Sequence, residues 1–164
     1  MSIIRITKHF DFETAHALYG YDGKCRNVHG HSYQLYVTVI GSPINDPEHV
    51  KNGMVLDFGD LKKIVKTQIV DVFDHATILN KNSPHAALAE DIKKHSPKVI
   101  LVEYQPTSEN MIVDFAAIIQ QHLPQSVKLH SLKLYETQNS YAEWHAADQH
   151  LETYQNAINA LKKP

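Results

Sequence analysis

Cysteine is nearly absent: Cys25 is the only one in 164 residues, so no disulfide can form within the chain. The thiol stands free, as suits a reducing compartment. Long apolar runs are missing too. No stretch approaches the length of a membrane span, and the opening MSIIRITKHF alternates apolar with polar residues where a secretory signal would carry a continuous apolar core. The expectation is a cytoplasmic protein with no membrane partner. There is also no excess of charge of either sign. A formal charge of −2 and a pI near 6.6 give no broad attraction to nucleic acid, so an anionic substrate must be met locally. Internal repeats, low-complexity tracts and linkers are lacking. With 43% hydrophobic residues the chain can bury one core, and a single domain over residues 1–164 is expected.

Histidine, by contrast, is abundant, with twelve in the chain. Most have an ordinary reading: His49, His85, His95, His122, His130 and His150 lie in polar or helical stretches where a solvated imidazole needs no explanation. Three others fall on a pattern. In IRITKHFDFETAH the even positions Ile4, Ile6, Phe10, Phe12 and Thr14 lead to His16, with Lys8 the exception. In HGHSYQLYVTVIG the odd positions His29 and His31 head an apolar set of Tyr33, Leu35, Val37 and Val39. Strand residues of equal parity share a face, so His16, His29 and His31 all point to the side that should be buried.

Farther on, MVLDF reads as a short strand passing into a helix with Asp57 or Asp60 as N-cap, and this helix ends near Asp74-His75. HAALAEDIKKH reads as a short helix and VILVEY as a strand. PTSENMIVDFAAIIQQHL reads as a second long helix with Thr107 or Ser108 as N-cap, and SLKLYET as a strand whose inward set is Leu132, Leu134 and Glu136. From Ala142 onward, Trp144, Ala147, Leu151, Tyr154, Ile158 and Leu161 recur at helical spacing, which predicts a terminal helix over 142–162. The predicted class is α+β: an antiparallel sheet with two long helices on one face, plus this extra C-terminal helix.

Three imidazoles that leave a fourth position open are the donor set of a catalytic zinc. HGH suits it, because the two rings project the same way and the glycine permits close backbone approach, although a bare H-x-H in a histidine-rich chain is a weak signal. Cys25 fits three roles on spacing alone: a thiolate base activated by a nearby cation, the fourth ligand of a closed structural site, or a buried thiol. Asp74 beside His75 suits a carboxylate-supported proton relay, and equally a helix C-terminus. Glu109 has a plain place in the first turn of a helix. Glu136 does not, since a carboxylate closing an apolar face is stable only when paired donors meet it.

The motifs FETAH with His16, CRNVHGHSY with Cys25, His29 and His31, GMVLDFGDLK, FDHATILN with Asp74 and His75, PTSEN with Glu109, and ET with Glu136 occur in this order. On them the chain resembles the 6-pyruvoyltetrahydropterin synthase / 6-carboxytetrahydropterin synthase family up to about Thr137. The resemblance implies Zn2+ on His16, His29 and His31, Cys25 as general base, and a relay through Asp74 and His75. It implies Glu136 as anchor of the pterin, with Thr107 and Glu109 beside the ring. It also implies the tunnelling fold, in which the sheets of a homo-oligomer, tetramer or hexamer, join into a barrel with active sites between subunits. The short C-x-x-x-H-G-H spacing looks like the bacterial enzymes of queuosine synthesis, which convert 7,8-dihydroneopterin triphosphate to 6-carboxytetrahydropterin, acetaldehyde and triphosphate. The alternatives are 6-pyruvoyltetrahydropterin synthase, which eliminates triphosphate without carbon–carbon cleavage, and a zinc-binding protein without catalysis. The resemblance assigns no role to the C-terminal extension.

Overall fold

In the computed structural model, which describes residues 2–150, the alternating apolar faces pair first. Strands β1 (Ile4–His16) and β2 (His29–Gly41) form a long antiparallel ladder running from Ile4 opposite Gly41 to His16 opposite His29. β5 (Val127–Thr137) joins β2 antiparallel, with a bulge at Thr38/Val39, and β6 (Ser140–His145) turns back on β5. On the other side, β3 (Ala76–Asn80) pairs with β1 and β4 (Val99–Val102) with β3, both in parallel. The six-stranded sheet has the order β4-β3-β1-β2-β5-β6.

The antiparallel sheet expected from the sequence is therefore mixed. β3 and β4 are short and at least half-buried at every position, so neither alternation nor a hairpin turn marks their direction. Both faces are covered here. Ile78, Ile100 and Val102 face the main core, while Leu79, Val99 and Leu101 pack with Ala89 and Ile92 of α3 (His85–Lys93) on the opposite side. Two-sided burial is the usual setting of parallel strands.

The main core lies between the sheet and two long helical runs. One is α1 (Phe58–Val65), continued through a π-type segment, Lys66–Val70, into α2 (Asp71–Phe73). The other is α4 (Ser108–His122). Their N-caps are as expected: Asp57 accepts from the Gly59 N–H and Thr107 from the Asn110 N–H. Leu61, Val65, Ile69 and Phe73 from the first run and Met111, Ile112, Phe115 and Ile119 from the second meet Phe12, Tyr33, Leu35 and Val37 of the sheet.

Two sequence expectations are corrected. MVLDF is not a strand, since residues 54–57 lead irregularly into the Asp57 cap. Residues 140–145 do not begin a helix but form β6, with Ala142 and Trp144 turned to the core while Tyr141 and Glu143 are exposed. Trp144 stands opposite Leu132 in the ladder, where its ring is buried in the main core as a cross-strand aromatic partner. A short 3-10 turn, Ala146–His150, follows. The rest of the predicted terminal helix lies outside the described residues. Among those described, no helix is long and apolar enough to cross a membrane.

Candidate metal centre and pterin site

The strand ladder assembles a histidine cluster able to hold a metal ion. His16 stands directly opposite His29, and Thr14 opposite His31, so all three imidazoles emerge on the core face at one end of the hairpin. Their ring centroids are 4.6, 4.9 and 5.2 Å apart, and one nitrogen from each lies within 4.8 Å of the others. His16 is 1% exposed.

The hydrogen bonds fix which nitrogens are available. His16 Nδ1 meets the Pro106 carbonyl at 2.6 Å and His29 Nδ1 meets the Asn27 carbonyl at 2.8 Å. A carbonyl only accepts, so each Nδ1 carries the proton and each neutral ring presents a bare Nε2. Those two Nε2 atoms face each other at 3.2 Å, and the Nε2 of His31 is buried without a hydrogen-bond partner. Lone pairs converging in this way repel unless a cation lies among them. Two nitrogens bound at about 2.0–2.1 Å to a tetrahedral zinc stand roughly 3.3 Å apart, so the site fits that ion. Backbone carbonyls bracing the far ring nitrogens are the usual support for metal-bound histidines. Burial, the dominant influence, holds the pKa of His16 and of His31 below the usual value and keeps the rings neutral.

Glu136 belongs to the same cluster. The irregularity at the end of the β5–β6 ladder turns its carboxylate toward the histidines, with Oε1 3.5 Å from His16 Nε2 and 3.6 Å from His31 Nε2. The Tyr33 hydroxyl donates to it at 3.4 Å. Burial first, then this carboxylate, drives the Tyr33 pKa far above the usual tyrosine range, so the phenol keeps its proton. Glu136 is 30% exposed, less enclosed than its parity with Leu132 and Leu134 predicts. One carboxylate oxygen thus faces the histidines while the side chain stays open to solvent.

Cys25 sits half-buried in a 3-10 turn, Lys24–Arg26, and its carbonyl accepts from the Leu18 N–H at 2.9 Å. Its sulfur is not within 4.8 Å of all three histidine nitrogens, so it is a neighbour of the cluster rather than a member. Thr107 is engaged as the α4 cap, and Glu109 is exposed in the first turn. Through Pro106 the PTSEN segment touches His16.

Asp74 and His75 do pair with each other, Oδ1 to Nδ1 at 3.0 Å. Asp74 also accepts from the Glu13 N–H, which is the main reason its pKa is lowered, and the His75 N–H donates to the Glu13 carbonyl at 2.5 Å. These bonds hold His75 at φ +58, a conformation uncommon for a residue with a side chain. The pair does not join the three-histidine cluster. Ala76 pairs with Thr14 in the β1–β3 ladder, and His75 lines a cavity of about 340 Å3 with Glu13, Gly30, Ser32 and Thr77, which His31 of the cluster also borders.

Sequence reasoning missed the Pro106 and Asn27 carbonyls, because backbone acceptors leave no mark in residue type. The Tyr33 hydroxyl was within reach, since Tyr33 shares the parity of His31.

The family model of 6-pyruvoyl tetrahydropterin synthase matches residues 5–147. The chain is 37% identical over 145 residues to the 6-carboxy-5,6,7,8-tetrahydropterin synthase of Haemophilus influenzae, covering 87% of this chain and 99% of that one. It is 31% identical to the 6-pyruvoyl tetrahydrobiopterin synthase of Pongo abelii, covering 83% and 87%. The 6-pyruvoyl tetrahydropterin synthase of Caenorhabditis elegans superposes with a TM-score of 0.62 at 25% identity, covering 89% and 97%. The same fold recurs in the Plasmodium falciparum protein, at a TM-score of 0.67 and 20% identity over 88% and 98%. On the family match over residues 5–147 and the identity with the Haemophilus influenzae enzyme across most of both chains, the chain belongs to the 6-pyruvoyl tetrahydropterin synthase family.

Proposed function

We propose that this protein is a zinc-dependent 6-carboxy-5,6,7,8-tetrahydropterin synthase. It would convert 7,8-dihydroneopterin triphosphate to 6-carboxytetrahydropterin, acetaldehyde and triphosphate, as a cytoplasmic carbon–carbon lyase of queuosine synthesis. The observation that carries the reading is the convergence of three imidazole nitrogens beside Glu136, two of them left bare by Nδ1–carbonyl hydrogen bonds. The relative from Haemophilus influenzae, aligned over 99% of its own length, supports the carboxy activity.

His16, His29 and His31 would hold zinc, which supplies Lewis acidity toward the oxygens of the substrate side chain. Glu136 would anchor the pterin edge through its 2-amino and N3 donors, a bidentate match for a carboxylate. Thr107 and Glu109, at the start of α4, would border the ring. The Cys25 thiolate would take a proton from the substrate side chain and His75, supported by Asp74, would return one.

Cys25 lies in the Lys24–Arg26 turn and His75 lines a cavity outside the three-nitrogen cluster. A His75 supplied by a second copy would bring the relay to the site, as in a homo-oligomer with active sites between subunits.

A 6-pyruvoyl activity is the second reading, favoured by the similarity to the Pongo abelii enzyme. A closed zinc-binding site without catalysis is disfavoured because the Cys25 sulfur does not join the three nitrogens. The deciding experiment incubates metal-loaded protein with 7,8-dihydroneopterin triphosphate and follows products by mass spectrometry. Acetaldehyde with 6-carboxytetrahydropterin is expected, whereas a 6-pyruvoyl product without acetaldehyde would move the assignment to the second reading. In a Cys25→Ala variant, zinc should stay bound while turnover falls by about 10²- to 10⁴-fold, the usual contribution of a general base.

A further inference from the structure

The substrate proposed above ends in a triphosphate, a strongly anionic group for which the three histidines, Glu136 and Cys25 provide no charged partner. A second cavity, of about 390 Å3, opens beside them. Tyr19 and Tyr21 on its wall follow β1 shortly after His16, and Arg26 and Asn27 immediately precede His29 at the start of β2. His85, the first residue of α3, completes it.

The walls are braced. The Leu18 N–H donates to the Cys25 carbonyl at 2.9 Å and Gln105 Nε2 to the Tyr19 carbonyl at 2.8 Å. Asn27 lends its own carbonyl to His29 Nδ1 at 2.8 Å. One residue thus belongs to both the cavity and the support of a metal-site histidine, which sets the two side by side.

The lining is rich in donors. Arg26 is exposed and, among the described residues, has no carboxylate partner, and no described acidic residue lines the cavity. His85 looked ordinary in the sequence, yet its Nδ1 is buried with no hydrogen-bond partner, and its ring stands edge-on to Tyr19 with centroids 5.4 Å apart. With no acceptor for a proton on Nδ1, the favoured neutral tautomer leaves that atom bare and makes Nε2 an N–H donor. Guanidinium, imidazole N–H, carboxamide and phenol hydroxyls in one hollow without an opposing carboxylate are the chemistry that binds a phosphate chain.

We propose that this cavity is the subsite for the substrate's polyphosphate, with Arg26 clamping its oxygens and His85 donating from the far wall. The subsite rests on the pterin reading above and adds the residues that distinguish a triphosphate ester from the free alcohol. It holds the leaving group next to the metal site without touching the reacting carbons.

The test measures two affinities by calorimetry in the metal-loaded Cys25→Ala background, where turnover is suppressed: one for 7,8-dihydroneopterin triphosphate, one for unphosphorylated 7,8-dihydroneopterin. Tighter binding of the triphosphate ester is expected. Arg26→Ala and His85→Gln should each shrink that advantage by at least about tenfold, as expected for losing a charged or doubly made hydrogen bond, with affinity for dihydroneopterin unchanged and partial recovery in Arg26→Lys. An unchanged ratio in both variants, including a parallel fall of both affinities, would overturn the subsite and leave the pterin reading standing. So would a parent protein that binds the two ligands equally. If neither ligand binds the parent, the pterin reading itself falls and takes the subsite with it.

Discussion

Two imidazoles that each give their Nδ1 proton to a backbone carbonyl have none left for the nitrogens that face one another at 3.2 Å. This arrangement makes metal content the first residue-level prediction. One zinc per chain is expected by elemental analysis, and His31→Ala should weaken it by more than the roughly 10- to 100-fold typical of losing only a supporting hydrogen bond, measured by competition with a chromophoric chelator. The same burial predicts a pH dependence of the metal-free protein. His16 and His31 have folded-state pKa values below the ordinary 6.5, chiefly through desolvation. Above that value neither state holds the extra protons and the groups leave stability unaffected by pH. As pH falls below it the unfolded chain takes them up first, so stability drops until the folded pKa values are passed. The melting temperature of the metal-free protein should fall as pH drops below the ordinary histidine value of 6.5, and a flat profile there would contradict the neutral-ring account. These histidines were legible in the sequence because parity in a strand is strict: one face, two residues per repeat, no dependence on the rest of the chain. Their carbonyl partners were not, since Pro106 reaches His16 across 90 positions of sequence.

Elements were legible to the degree that one face of each stayed dry. β1, β2, α4 and the run from Phe58 to Phe73 each bury one side, and their apolar period reads directly. β3 and β4 are covered on both sides by α3 and the main core, which erases the alternation that would have shown their partners and direction. The segment from Ser140 to His145 was ambiguous for another reason. Alternation over six residues competes with a helical spacing that begins at Trp144, and the Thr137–Ser140 turn decides for the hairpin. That outcome is testable because Trp144 is the sole tryptophan. At 7% exposure in the core its emission should be blue-shifted and move to the red on unfolding. Trp144→Ala should cost about 3–5 kcal/mol in urea denaturation, the usual penalty for emptying a buried aromatic site, whereas a residue on an exposed helix would cost a fraction of that. At α4 the side chain of Thr107 caps the helix whose preceding carbonyl braces His16. Thr107→Ala should lose about 1 kcal/mol of stability, and a metal affinity that falls with it would show that the cap and the site share one element.

At the scale of the whole molecule, the proposed relay stands apart from the histidine cluster. His16, His29, His31 and Glu136 gather at one end of the β1–β2 ladder. Asp74 and His75 follow the first helical run, with the His75 side chain 76% exposed and its backbone held by Glu13. A His75 supplied by another copy of the chain would bring the relay to the cluster. This leads to a complementation experiment. Cys25→Ala and His75→Ala should each be inactive as homo-oligomers. Unfolded together in equal amounts and refolded, they should recover about a quarter of wild-type activity if each site draws its Cys25 and its His75 from different, randomly chosen copies, since one pairing in four then has both. A site complete within one chain would recover nothing, because every chain carries one lesion. Light scattering on the refolded mixture supplies the control, as the recovery requires an oligomer of the same size as the wild type. Among the described residues β4 and β6 are the edges of the sheet, and such an assembly would use their backbone groups as its joints. An oligomer that forms but shows no complementation would place both residues of a site on one chain, whereas a His75→Ala homo-oligomer that stays active would remove His75 from the chemistry.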